Sequence, residues 1–235
     1  MKQRFTHPWI GSPEADLLFV EGAPPQAKYR FKHALIQDAA YDSLLKSRRQ
    51  ALHRRAAELL RDDPERAAAE PEVIAHHFTE ARLDDLAIEW WGKAGDQALR
   101  RSAFQEAISH LGKAIEMADK AGAAAPRSAT TPASGTQRLK LQTSYGQALL
   151  WSKGFGAEET QTAFLRAQAL AAGVDNADER FKIFYGLWVG NLSRGEFAVG
   201  REAAEAFRRE AENAARMTEA VVGRRVLGLD CLWQG

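Results

Sequence analysis

The chain has 235 residues, 45% of them hydrophobic and 27% charged, with 32 Lys and Arg against 31 Asp and Glu. That length allows one large or two modest domains, and the composition is ordinary for a globular protein. The near-zero net charge excludes a global field for nucleic acid or a membrane surface, the single Cys231 excludes an internal disulfide framework or a cysteine-rich metal site, and no apolar run approaches the ~18 residues of a membrane span.

The N-terminal stretch, MKQRFTHPWIGSPEADLLF, lacks the continuous apolar core of a signal peptide. A cytoplasmic location is therefore expected. Residues 1–16 are polar and broken by Pro8, Gly11 and Pro13, and are expected to be loop. Leu17 to Val20 and Tyr29 to Phe31 are β-prone, and the Gly-Ala-Pro-Pro stretch between them is a turn signal. They predict a β-hairpin within 17–33 and no other strands. An isolated hairpin is marginal in water and needs a partner that this sequence scarcely provides.

Helical periodicity then begins. Ala34, Leu35, Ala39, Tyr41, Leu44 and Leu45 predict a helix over about 34–46. A second opens at Ser47 and carries Leu52, Ala56, Leu59 and Leu60. Asp62-Asp63-Pro64 is expected to stop it, because proline cannot continue the backbone ladder. Pro71 starts a third at a position proline tolerates, with Val73, Ile74, His77 and Phe78 inward. From Leu86 to Met117 the apolar phase breaks near Ser102, so two helices are expected. Leu86, Trp90, Trp91, Ala94 and Ala98 line one face of the first, and Phe104, Ala107, Ile108, Leu111 and Ile115 one face of the second. Each stripe must be buried against the other in an antiparallel hairpin, with Gly95, Ala107 and Ala114 letting the backbones approach.

Residues 122–136, GAAAPRSATTPASGT, contain no large apolar side chain and are expected to form a flexible linker. Helical texture resumes with Leu141 to Trp151, Thr160 to Leu170, Phe181 to Leu192, Phe197 to Phe207, and Val221 to Trp233. Gly154, Gly195 and Gly235 close similar segments about 40 residues apart, a period typical of helical-pair repeats. Each glycine fits a left-handed helix cap. The chain stops at Gly235, where the earlier units turn into a second helix. A truncated last unit, exposing residues such as Leu227, Leu232 and Trp233, is therefore expected.

The residues Trp91, Gly95, Phe104, Ala107, Leu111 and Ala114 resemble a tetratricopeptide repeat (TPR) in type and spacing. Ala94 and Ala98 depart from that pattern, where larger residues are usual, as does Asp119, where a proline is usual. An ordinary helical hairpin is the alternative. The fold class expected is all-α: a TPR-like right-handed α-solenoid of antiparallel helix hairpins with a small N-terminal β-hairpin. The expected divisions are 1–33 for loop and hairpin, 34–121 for a helical region containing the TPR-like hairpin, 122–136 for the linker and 137–235 for further repeats.

Several segments in order resemble the region after the ATPase core in bacterial signal-transduction ATPases of the AAA/STAND type, often fused to class III adenylate or guanylate cyclases. They are Tyr29 to Tyr41, Ser43 to Leu45, Arg48 to His53, Ala75 to Ala81 and the Trp90–Leu111 unit. The resemblance implies that the β-hairpin is the tail of a winged-helix domain and the remainder a TPR-like superhelix. The sequence contains no G-x-x-x-x-G-K-[ST] loop and no recognisable paired-Asp cyclase site. What remains looks like a non-catalytic sensing or docking arm, and no cofactor is expected. Its implied partner is a protein or peptide, including the ATPase or cyclase domains of a parent chain, rather than nucleic acid or membrane. A free-standing TPR-like adaptor is the alternative.

His33 follows Phe31-Lys32 at the junction between hairpin and helix. The resemblance implies a nucleotide-sensing role for it in a parent protein, although Ala34 replaces the usual acidic residue. The other reading is a His that caps the following helix. His76 and Glu80 share a helix face, but a zinc site needs a further ligand that the nearby sequence does not offer. Polar helix-surface residues, with His77 partly packed, are expected instead. Trp90, Trp91, Trp151, Trp188 and Trp233 fall at core-compatible phases. Most are expected in hairpin cores, and Trp151, Trp188 and Trp233 are the candidates for lining a peptide-binding face. The cluster Arg48, Arg49, Arg54 and Arg55 reads as a solvated helix face. No Ser/His/Asp or carboxylate constellation points to a hydrolase.

Overall fold

The computed structural model describes residues 17–23, 27–124, 133–172, 174, 176–213 and 215–233; the side chains of 124, 133, 134 and 229–233 lie outside the description. Within it the fold is all-α apart from one β-hairpin. The chain divides into two compact units, residues 1–52 and 53–235.

In the first unit, β1 (Leu18–Glu21) and β2 (Lys28–Phe31) pair antiparallel with Leu18 opposite Phe31 and Glu21 opposite Lys28. These are the strands expected within 17–33. Their apolar side chains stay in solvent: Phe19, Val20, Tyr29 and Phe31 are all exposed. Arg30 and Lys32 lie over the Phe19 ring, 5.3 and 5.0 Å from its centroid, a cation–π arrangement that covers part of it. Helix α1 (Ala34–Asp42) follows, ending a turn earlier than the apolar spacing suggests. It buries no residue. Helix α2 (Lys46–Arg61) begins in this unit, and the division falls within it.

In the second unit Pro64 does more than stop α2. Asp63 accepts hydrogen bonds from the backbone N–H groups of Glu65 and Arg66, so the proline occupies the first turn of a short helix, α3 (Pro64–Ala69). That helix was not expected. A stop signal and a start signal share the same residues, and only the stop is visible in apolar periodicity. Helix α4 (Pro71–Glu80) opens at Pro71 as its sequence indicates.

The hairpin read from the sequence is α5 (Asp84–Arg100) against α6 (Phe104–Ala124). Ser102, at the break in apolar phase, takes φ +58° in the turn. Leu111 on α6 is fully buried over Gly95 on α5, where a Cβ would collide with the leucine side chain. Trp90 and Trp91 are buried here, and the Trp91 indole N–H donates to Thr79 Oγ1 at 3.0 Å. A full side-chain burial of this kind contributes about 1.5–3 kcal/mol.

The expected linker is cut into from both ends. Helix α6 continues through Ala124, and α7 (Ala133–Lys153) starts three residues before its expected limit of 136. The small polar residues there are compatible with helix ends, and composition alone did not distinguish the two. Then come α8 (Glu158–Ala171), α9 (Ala177–Ser193), α10 (Phe197–Asn213) and α11 (Met217–Trp233). From α4 onward each helix packs on the next, and α5, α7 and α9 also touch in series. Such neighbour-only packing defines a stack of helical hairpins. Gly154 and Gly195 close α7 and α9 at φ +94° and +77°, as their spacing implies. Gly235 lies outside the described residues.

Among the described residues, three apolar clusters run along the unit. The first joins Ala57, Ile74, Phe78, Trp90, Trp91 and Leu111 with their neighbours. The second centres on Leu139, Phe164 and Leu187. The third joins Phe184, Trp188, Phe207 and Val226.

Candidate interaction surface

Helices α5, α7 and α9 are the first members of successive hairpins, and their touching in series gives them a shared face. On α5, Glu89, Lys93 and Asp96 recur at helical spacing. On α7, Lys140, Ser144 and Trp151 recur at steps of four and seven, and on α9 Asp178, Phe181 and Tyr185 at steps of three and four.

The α5–α7 part is polar and internally paired. Lys140 Nζ lies 2.9 Å from Asp96, and Ser144 donates to the same carboxylate at 3.1 Å. Lys93 pairs with Glu89 at 2.7 Å while its ammonium sits 4.0 Å from the Trp90 ring centroid. A shallow cavity of about 220 Å³ lies between these groups. With its charges already matched, it offers little free field to a charged ligand.

The α7–α9 part is different. Trp151 is 63% exposed, and its ring stacks beside Phe104 at 6.5 Å between centroids. Gln105 donates to Ser152 Oγ at 2.7 Å, tying the start of α6 to the end of α7 beneath it. On α9, Phe181 and Tyr185 are 37% and 44% exposed and 6.1 Å apart. Phe155, in the α7–α8 turn, meets Tyr185 edge-on at 6.3 Å. Beside Phe181 a cleft of about 510 Å³ opens between α9 and α11, lined also by Met217 and Val222. Exposed aromatic rings braced by neighbouring rings bring large contact area at small entropic cost.

The sequence candidates fare unequally. Trp151 is placed in solvent. Trp188 is not a surface residue: it is 6% exposed in the third cluster, 6.1 Å from Tyr185. Its neighbour Phe184 stacks on Phe207 with centroids 4.1 Å apart, so Trp188 belongs to the α9–α10 core. Helix α9 carries two aromatic pairs, Phe181/Tyr185 and Phe184/Trp188, each at i,i+4. The second pair faces the core and the first faces solvent. The two registers differ by three residues, and helical periodicity alone does not say which of them is buried. The Trp233 side chain lies outside the described residues.

His33 is exposed at the N-cap of α1 with φ −133° and ψ 133°. Its backbone carbonyl accepts from Ile36 and Gln37, but its imidazole makes no capping hydrogen bond. His33 thus occupies the N-cap position, as the capping reading expects, but through its backbone and not its side chain. His76 is exposed and His77 half-buried. Their third neighbour is His53 on α2, 24 residues from His77 and so without a local sequence signal. Among the described residues no group of three or more His, Cys, Asp or Glu is arranged to hold a metal ion. No helix of the described residues is long and apolar enough to cross a membrane.

No family model matches the chain. It is similar to an uncharacterized protein of Rhizobium meliloti (strain 1021), 27% identical over 184 residues that cover 77% of this chain and 17% of that protein. The chain thus spans less than a fifth of that curated relative's length.

Proposed function

We propose that this chain is a non-catalytic protein-interaction and signal-sensing arm of a multidomain signal-transduction ATPase or nucleotide cyclase in the cytoplasm. It takes a protein or peptide partner on the α7–α9 face. The observation that carries this is the exposed aromatic set Trp151, Phe181 and Tyr185 on helices of a hairpin stack. Rigid aromatic anchors beside an apolar cleft suit recognition of a partner's side chains better than they suit catalysis. The great length of the relative supports an arm within a larger protein. In that parent, His33, exposed at the head of α1, is the candidate nucleotide-sensing residue. A free-standing TPR-like adaptor is the competing reading, and it would use the same face.

The test uses the full-length gene product that carries this chain, assayed for ATP hydrolysis and cyclic-nucleotide synthesis. Trp151→Ala with Tyr185→Ala is expected to change the regulation of that output several-fold while leaving the melting temperature of the protein unchanged. His33→Ala is expected to shift the balance between nucleotide-bound resting and active states. A product with neither activity contradicts the arm reading and favours the adaptor. Unchanged nucleotide affinity and output in His33→Ala rejects the sensing role.

A further inference from the structure

Three histidine rings meet where α2 passes α4. His53 Nδ1 and His77 Nδ1 are 2.8 Å apart, with ring centroids at 5.0 Å. The exposed His76 ring lies 6.1 Å from His53 and 5.7 Å from His77. An Nδ1–Nδ1 hydrogen bond requires one nitrogen with its proton and one without. The neutral pair meets that condition, and so does the pair with one added proton on the outer nitrogen of the donor ring. With both rings fully protonated, two N–H groups face each other with no acceptor between them, and two positive charges lie side by side.

We infer that His53 and His77, with His76 beside them, form a proton-operated latch: the hydrogen-bonded pair holds the His53–Arg61 part of α2 on α4, and full protonation of the pair releases it. The latch matters because little else holds that segment. Ala57, one turn beyond His53, is the buried residue of α2, and Leu60 is only partly buried against the same cluster. The groups acting on His77 are His53 from α2 and His76 and Glu80 from α4 itself. Burial pushes His77 below the ordinary histidine range, His53 and His76 push it further down, and Glu80 opposes them. The sign follows from linkage. A histidine whose folded value is depressed binds fewer protons folded than unfolded, so stability is complete above about pH 6.5 and is lost as pH falls through the folded value.

The experiment is done on the full chain with a chelator present, so that only protons act. Imidazole ¹⁵N–¹H spectra are recorded from pH 8 to pH 5, and melting temperatures are measured at both ends for wild type, His53→Gln and His77→Gln. In wild type the pair is expected to titrate in two separate steps. His77 is expected to move back up in His53→Gln. His77→Gln is expected to lose most of the acid-induced drop in melting temperature. His110 is also lowered, by burial and then by Lys113, but it is common to all three proteins and cancels. Single-step titration of the paired rings overturns the latch, even if a variant fails to fold. So does a His77 titration unchanged by His53→Gln, or an equal acid-induced drop in wild type and His77→Gln.

Discussion

Four helix ends among the described residues are closed in the same way. Arg82, Ser102, Gly195 and Ala215 all take left-handed backbone conformations, at φ +59°, +58°, +77° and +55°. In each case the next residue's N–H reaches back to a carbonyl five residues earlier: Leu83 to Phe78, Ala103 to Ala98, Glu196 to Asn191 and Arg216 to Ala211. This is the Schellman closure, and glycine suits it because a Cβ crowds the following carbonyl. Three of the four positions carry that penalty. Ser102→Gly is expected to stabilise the protein by roughly 0.5–1 kcal/mol, the relief of left-handed strain exceeding glycine's entropic cost. Urea unfolding should show a raised midpoint at unchanged slope; a lowered midpoint would mean that Ser102 has a role beyond the turn. Of the left-handed helix ends, those at Gly154 and Gly195 are the ones marked by a glycine in the sequence. A serine, arginine or alanine in the same conformation carries no signal of its own, and the turn at Ser102 was legible only from the break in apolar phase around it. The His53–His77 contact was hidden for a related reason: nothing local in either segment records a neighbour 24 residues away.

At the scale of elements, helix spacing is set by single residues at crossing points. The fully packed Phe164 ring of α8 lies between Gly146 on α7 and Gly186 on α9. A Cβ on Gly186 would sit 2.6–2.7 Å from that ring, closer than side chains approach. Gly186→Ala is therefore expected to cost about 1–3 kcal/mol by overpacking, and Gly186→Ala combined with Phe164→Leu less than the sum of the single changes. Strict additivity in thermal or urea unfolding would deny the contact. Asp119 does a different job. It stands where the repeat pattern favours proline, and it joins α6 to two later helices. Arg138 of α7 donates to it at 2.8 Å, and Arg166 of α8 donates to its other oxygen. Burial alone would raise the Asp119 carboxyl, but the Arg166 and Arg138 hydrogen bonds and charges outweigh it and hold the group below its ordinary value of 3.8. A depressed carboxylate contributes stability above the unfolded value and loses it as pH falls through the folded one. Asp119→Asn should thus be less stable than wild type at pH 7, by up to about 1 kcal/mol for a partly exposed cluster, and the gap should close below about pH 4. A gap that persists at pH 2 would point to packing rather than charge. The sequence marked Asp119 as a departure from the pattern; its partners, 19 and 47 residues on, could only come from the fold.

For the whole molecule, the helical class, the hairpin strands and the stacked pairs from α5 onward were legible because each rests on local periodicity and turn residues. The unit boundary at Leu52 and His53 was not, since it falls inside α2 where apolar spacing is continuous. Nor was the exposed aromatic face: apolar pattern identifies aromatic helices but not which ring is left in water. Within the second unit the exposed rings are concentrated on α7 and α9, whereas most other large aromatics there, such as Phe78, Phe164 and Phe207, are buried. The central claim is that this face is where a partner docks. The most direct measurement is photo-crosslinking in the native cell, with a photoreactive amino acid at position 151 or 185 and, as control, at Leu165, which is 48% exposed on α8. The account predicts crosslinks from 151 and 185 to defined peptides, in the remainder of a parent polypeptide or in a separate protein, and few from 165. Equal yields at all three positions, or crosslinks from 165 alone, would contradict it.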